Sequence, residues 1–216
     1  MVRKADIPDT IVEATLDLIA EKGWGRLALG DIAARAKLPV SEVWERFPSK
    51  EAVLDEWLRR LDRRMTEGGP PDLDESPRDR LFEVMMRRFD ALQPRREAVR
   101  RLLRDGPGDL RLLYSRATAW PRTLALMLET AGISTSGASG LLRVEGLAGI
   151  HLAVLRTWLR DDTADMARTM AELDKQLRRA ETLSSILWRG SRRDERDHRP
   201  EATPHAPPAG QGAAPG

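Results

Sequence analysis

The stretch LALGDIAARAKLPVSEVWERFPSK, residues 27–50, decides the fold. Its apolar residues recur at steps of three and four, which is a helical rather than a strand period. It reads as two short helices, near 30–36 and from Val40 to Arg46, separated by a turn at Lys37 to Pro39. Small Ala33 and Ala36 let these helices approach closely, and Ile32, Leu38, Val43 and Phe47 supply their shared core. Pro48 breaks the second helix, and Ser49 caps a longer one that runs to about Met65 with Val53, Leu54, Trp57, Leu58 and Leu61 inside. Upstream, Pro8 suits a first helical turn, Ile11, Ala14, Leu18 and Ile19 share one face, and Gly23 ends a helix over about 8–22.

Downstream, residues 66–76 (TEGGPPDLDES) concentrate Gly, Pro and acids and mark a linker. A second unit starts at Ser76, where Ser-Pro-Arg-Asp offers a cap, a first-turn proline and an acid at the third position. Helices are expected near 77–92, 95–104, 109–131, 138–160 and 163–188, with Pro121 kinking or dividing the third. No stretch alternates as a half-buried strand does, so the fold class is all-α. The sequence from Ser191 onward holds too little apolar surface to offset ordering entropy. The expected organisation is a headpiece over 1–65 with its motif at about 28–47, a helical body over 76–190, and a disordered tail over 191–216.

A chain of 216 residues allows a small module plus a body with its own core. No run approaches about 18 uninterrupted apolar residues, and MVRKADIPDT lacks a signal-like apolar stretch, so a cytoplasmic location is expected. With no cysteine and three histidines, two of them in the tail, thiol chemistry, disulfides and a metal site are set aside, and no cofactor is called for. Lys and Arg number 36 against 34 acids, and residues 1–67 carry 12 basic and 13 acidic side chains, a net charge of −1. The headpiece is not globally cationic. No acids, histidine or serine fall at catalytic spacing, and Asp161 and Asp162 sit in an interhelical turn where capping explains them. The chain does not read as an enzyme.

Residues 27–50 resemble the DNA-binding segment of the TetR family. Ile32, Ala33 and Ala36 and the ending Trp44, Glu45, Arg46, Phe47, Pro48, Ser49 and Lys50 carry the likeness, with Glu21 to Trp24 closing the first helix. The resemblance implies an N-terminal three-helix helix-turn-helix domain followed by a larger helical ligand-binding and dimerisation domain. It also implies a homodimer that binds double-stranded DNA at a pseudo-palindromic operator, acts as a repressor, and answers to a small apolar ligand. On the outer face of the second short helix, Ser41, Glu42, Glu45 and the Trp44 edge would look toward a major groove, while Lys37, Arg46 and Lys50 would meet phosphates. Lys50 also precedes a helix whose first amides favour a phosphate. The sequence departs from the family at Lys37, where a turn glycine is usual, and at Pro39, where a small polar cap is usual. Both departures are tolerated if Lys37 adopts an ordinary turn conformation, since only Gly takes positive φ without cost. Glu42 and Glu45 oppose phosphates, although an acid can accept a bond from a cytosine amino group.

In the body, Met85, Met86, Tyr114, Trp120, Met127, His151 and Trp158 read either as the lining of an apolar cavity or as plain core. Met166, Met170, Leu173, Leu177, Leu183 and Leu187 form one stripe of the last helix. In TetR-like proteins the last two long helices pair with their symmetry mates, so the resemblance implies that this stripe meets a second copy. Gly140, Gly146 and Gly149 would permit close approach there or at a ligand. A narrower resemblance links the body to the accessory lipid-binding protein family of coenzyme Q biosynthesis. Its carriers are RLFEVMMRRFDALQPRREAVRRLLRD at 80–105, Ala119 to Arg122, and WLRDDTAD at 158–165 followed by Thr169 and Leu173. That likeness implies an alternative, an isoprenoid-lipid binder with a vestigial headpiece. Arg178, Arg179, Arg189, Arg192 and Arg193 around Leu183, Ile186, Leu187 and Trp188 would then meet a membrane surface, although a dimer helix with a basic end explains the same residues.

Overall fold

Small residues at the first helical crossing and capped, proline-punctuated boundaries produce a chain in which every element is a helix. In this computed structural model the structure describes residues 7–183, and no strand is found among them. The headpiece holds α1 (Ile7–Lys22), α2 (Leu29–Ala36), α3 (Val40–Arg46) and α4 (Lys50–Thr66). The body holds α5 (Pro77–Leu92), α6 (Arg96–Asp105), α7 (Leu110–Thr130), α8 (Gly137–Trp158) and α9 (Ala167–Leu183), with single 3-10 turns at Gln93–Arg95 and Gly106–Gly108. The expected tail over 191–216, Leu187 and the end of the last helix lie outside the described residues, as does the side chain of Leu183.

The boundary chemistry follows the sequence signals. Ser49 Oγ accepts the Ala52 N–H at 3.2 Å, and Ser76 Oγ accepts that of Asp79 at 3.2 Å. The linker after α4 is tied down by buried Arg80, which donates to the carbonyls of Ala131 at 2.8 Å and Glu75 at 2.6 Å. Helix α4 packs against α1, α5 and α7, so one core runs through both units, from Ile11 and Trp24 to Phe89 and Trp158. Burying that shared surface makes α4 part of the headpiece and the body at once.

Four expectations are corrected. Pro121, expected to kink or divide its helix, does not divide it: α7 runs unbroken through the proline and is tied to α4 on both sides, by Arg116 on Asp55 and by Thr123 Oγ1 on Asp62 at 3.2 Å. Lys37 takes the left-handed conformation, with φ 56° and ψ 41°, and its turn closes α2 through Leu38 N–H to the Ala33 carbonyl at 3.0 Å. The last helix starts at Ala167 rather than near 163, because buried Asp161 organises the preceding turn. The Asp161 carboxylate accepts from Thr163 Oγ1 at 2.6 Å, Thr169 N–H at 2.8 Å and Thr169 Oγ1 at 2.7 Å. Burial opposes its ionisation, but these bonds outweigh burial and hold the carboxyl well below the usual range.

The fourth correction concerns the stripe assigned to a second copy. Met166, Leu173 and Leu177 are buried within one protomer, and Met170 is half-buried, because α9 packs on α5 and α8. The periodicity marked a buried face; that face is satisfied by the chain itself. The uncovered apolar face lies instead on α8, where Leu141, Leu142 and Leu152 are exposed beside Gly146 and Gly149. Gly140 is buried, and a Cβ there would collide with the Thr135 carbonyl, so it serves its own turn. By length and composition α8 matches a membrane-crossing helix, yet its Arg143, Val144, Leu147, His151, Val154 and Trp158 face is buried in the bundle.

A lysine in the left-handed region carries a backbone penalty that glycine avoids. Lys37→Gly is therefore expected to raise stability by about 0.5–1 kcal/mol, net of glycine's greater unfolded-state entropy. Urea titration should show a higher midpoint at an unchanged slope, and Lys37→Val should shift it the other way.

Candidate functional site

Helix α3 turns one face outward. Val40, Ser41, Trp44 and Glu45 are exposed on it, with exposed Lys37 just ahead, while Val43 and Phe47 point into the headpiece core. Trp44 is 58% exposed, too much for a core residue. Glu42 and Arg46 sit at the half-buried edge and pair, with Arg46 Nη1 3.4 Å from Glu42 Oε1 and donating to the Glu42 carbonyl at 3.3 Å. The pairing offsets one of the two acids that oppose a phosphate backbone. The sequence marks Val40 only as the start of its helix; with Trp44 it offers apolar surface of the kind that meets a thymine methyl.

Lys50 is not on that face. Its ammonium donates to the Trp24 carbonyl at 3.0 Å, stands 4.4 Å from the centroid of the Trp24 ring and lies 3.9 Å from Asp109. The lysine expected at a phosphate belongs to the joint between headpiece and body. Trp24 is fully buried in that joint, with its backbone N–H donating to Asp105 Oδ2 at 2.9 Å and its indole N–H to Asp109 Oδ2 at 2.7 Å. Gly23 precedes it at φ 82°, where a Cβ would strike the Asp105 carboxylate. Asp109 also caps α7, its Oδ1 accepting from the N–H groups of Arg111 at 3.0 Å and Leu112 at 3.1 Å. The Leu112 N–H, acting against burial and helped by Trp24, Arg111 and Lys50, holds the Asp109 carboxyl below its ordinary range.

Behind the joint, a cavity of about 710 Å³ opens between α4 and α7. Asp55, Leu58 and Asp62 of α4 form one wall, and Tyr114, Trp120 and Thr123 of α7 form the other. Its floor holds Arg88 of α5, ion-paired with Asp62, and His151 of α8. His151 is buried, stacked on Phe89 at 5.5 Å between centroids and edge-on to Trp120 at 5.0 Å. Burial, followed by the nearby Arg88 charge, pushes its pKa down to about 3, so the imidazole is neutral at neutral pH. Neither of its ring nitrogens has a hydrogen-bond partner.

Of the seven body residues singled out from the sequence, Tyr114, Trp120 and His151 line this cavity. Met85 and Met127 are fully buried packing residues. Met86 faces a separate groove with Met166 and Met170. Trp158 is core, its indole N–H donating to Gln93 Oε1 at 2.8 Å with Arg96 over its ring. The sequence reading missed the polar members Asp55, Asp62, Arg88 and Thr123, because a lone acid or arginine on a helix carries no spacing signal. Among the described residues no group of three or more His, Cys, Asp or Glu is placed to hold a metal ion.

A helix-turn-helix headpiece fused through one shared helix to an all-helical body with an internal cavity defines the class of protein. Residues 11–57 match the family of bacterial regulatory proteins, tetR family. The headpiece thus matches that family's model over residues 11–57, and the described residues have a TetR-like fold. An HTH-type transcriptional repressor of Mycobacterium tuberculosis and an HTH-type transcriptional regulator of Mycobacterium bovis are each 33% identical over 88 residues, 39% of this chain. The chain spans about half of those relatives, 47% of their length. Among solved structures, a TetR transcriptional regulator from Nitrosomonas europaea aligns at TM-score 0.68 and 25% identity over 81% of this chain and 98% of that one. A tetR-family regulator from Streptomyces coelicolor aligns at TM-score 0.61 and 19% identity over 94% of each chain. Both alignments cover the body as well as the headpiece, and both are to regulators by name. Regulators of this family and fold are DNA-binding proteins, not enzymes.

Removing the Asp109 side chain deletes both a helix cap and the acceptor of a buried indole. Asp109→Ala is expected to lower stability by about 2–3 kcal/mol at pH 7, measured by urea denaturation. Because the folded pKa is depressed, this contribution is complete above the unfolded value of about 3.9 and disappears as pH falls through the lower folded value. Asp109→Asn should accordingly show a shallower loss of stability below about pH 4 than the wild type.

Proposed function

We propose that the protein is a ligand-controlled transcriptional regulator of the TetR type, a cytoplasmic homodimer that represses from a pseudo-palindromic operator. The observation that carries this reading is the position of the cavity. One wall is α4, the helix that directly follows α3, and the other is α7, whose first turn is held by the residue that binds Trp24 of the headpiece. A ligand that favours one spacing of α4 and α7 therefore biases the headpiece, within the limit of its differential affinity for the two arrangements. Repression is supported by the name of the mycobacterial repressor, and ligand control by a neighbour of the same fold solved as a triclosan complex.

Operator contacts fall to Ser41, Trp44 and Glu45 on base edges, with Glu42 and Arg46 at the border of the face and Lys37 on phosphate. A two-fold dimer sets the separation of two such faces on one side of the duplex. The α8 face of Leu141, Leu142, Gly146, Gly149 and Leu152 suits a second copy, since it is apolar, lightly packed and otherwise open to water. The lipid-binding alternative is disfavoured, because the body's likeness is to regulators; the segment proposed to touch a membrane, from Ile186 to Arg193, lies outside the described residues.

Selection from random duplex DNA at moderate salt should enrich a pseudo-palindrome, and enrichment of no sequence would remove the operator reading. Leu142→Glu is expected to shift sedimentation to the monomer and to weaken binding to the full palindrome at least tenfold, with half-site binding retained. Lys37→Ala should weaken binding across sequences and lower the salt slope by about one.

A further inference from the structure

Resting on the reading of the α4–α7 cavity as the regulatory site, we infer that its ligand is an amphipathic anion, with its apolar body inside and its charge held at the rim by Arg59 and Arg122. The volume, about 710 Å³, falls in the range of about 300–1,000 Å³ typical of small-molecule sites. Four arginines line it, Arg59, Arg88, Arg116 and Arg122, against two aspartates, Asp55 and Asp62, and buried His151 is neutral. The lining therefore holds two more positive charges than negative ones. Leu58, Trp120, Leu124 and Leu126 supply apolar wall among them.

The surplus is localised. Arg88 is matched by Asp62 on the floor, and Arg116 by Asp55. Arg59 pairs with Glu56, but that carboxylate also serves Arg60 and Arg63, so one negative charge answers three guanidinium groups. Arg122 lines the cavity with no ion pair or hydrogen bond to its side chain among the described residues. Arg116 and Thr123 of α7 are each tied to the α4 residue 61 positions earlier, so the two helices run side by side. Arg59 and Arg122 fall between those ties, on opposite walls, and both are exposed.

That placement orients the ligand. An anion carried to the floor meets the closed Arg88–Asp62 pair and loses its hydration without compensation. At the rim it keeps part of its water and takes charge-assisted bonds from guanidinium groups of both walls, while its apolar body leaves water. An ammonium in the same place is repelled, and an uncharged molecule forgoes the rim contacts. Because the two cations face solvent, the gain is modest and screened by salt. A headgroup shared by Arg59 and Arg122 also links α4 to α7, the helices whose spacing the headpiece follows.

The test uses four probes, decanoate, 1-decanol, decylamine and acetate, titrated calorimetrically at pH 7 into the full chain and, in parallel, into its complex with the DNA recovered by selection. At low salt decanoate is expected to bind about tenfold tighter than decanol, decylamine weaker than decanol, and acetate not measurably. Raising the salt to about 0.5 M should narrow the gap between decanoate and decanol. Arg122→Gln, at an exposed residue without an ion pair, should weaken decanoate about fivefold and leave decanol unchanged, while Arg122→Lys keeps part of the preference. Arg59→Gln should act in the same direction, since Glu56 retains Arg60 and Arg63. Decanol binding as tightly as decanoate at low salt, tightest binding by decylamine, a preference that both glutamine variants leave intact, or binding of none of the probes would each overturn the inference. The comparison within the wild type does not depend on any variant folding. If the anion preference is found but DNA binding is indifferent to decanoate, the ligand assignment stands and regulation through this cavity fails. If decanol and decanoate release the DNA alike, regulation stands and the ligand assignment fails.

Discussion

The indole N–H of Trp24 reaches across 85 residues to the carboxylate of Asp109, and the two halves of the molecule are organised around that bond. Its partners cannot be exchanged singly. The first amides of α7, with Trp24 and Lys50, hold the Asp109 carboxyl below its ordinary range, while the indole needs Asp109 because an unpaired buried N–H costs about 1–3 kcal/mol. Lys50 closes the circuit by lying over the same ring and bonding the Trp24 carbonyl. One residue thus fixes the end of α1, the start of α4 and the start of α7. Displacement of any of these helices is felt by the others, and α4 and α7 are the walls of the cavity.

The same matching of charges explains how a headpiece with a net charge of −1 can face DNA. Most of its acids are ion-paired, some to cations of the headpiece and some to arginines of the body. Glu21 holds Arg35, Asp31 holds Lys22, Glu42 holds Arg46, and Glu56 gathers Arg59, Arg60 and Arg63. Exposed pairs of this kind add little stability, about 0–1 kcal/mol each. What they change is the field at the surface, where Glu45 is left as the acid on the outer side of α3. The acidity of the whole domain is therefore a poor guide to the potential at its recognition face.

What the sequence disclosed, and what it hid, follows from the range of the interactions involved. Helices α1 to α8 were legible to within about three residues, because caps, breakers and apolar steps act over a single turn. The start of α9 was not, since Asp161 bonds Thr169 across eight residues and leaves Met166 in the left-handed region. Burial was legible too, but not the identity of the covering surface: the steps at Met166, Leu173 and Leu177 identify a face to be covered without saying whether α8 or a second copy covers it. Lys37 resisted reading for another reason. Its residue type argues against the conformation that the turn imposes, and the closure of α2 prevails over that preference. The joint and the cavity floor, built from residues tens of positions apart, left no local signature.

Stability and function pull on the cavity in opposite directions. A core optimised for stability would seal the gap between α4 and α7 with apolar side chains and leave no neutral imidazole without a partner. Instead, polar links hold the two walls, Arg116 and Ser115 to Asp55 near the mouth and Thr123 to Asp62 near the floor, and Arg88 shares Asp62 with them. Such links are directional and tolerate little change in spacing, whereas greasy packing adapts to a shift of a few tenths of an ångström. Walls joined in this way have discrete arrangements rather than a continuum, which is what a two-state response to an occupant requires.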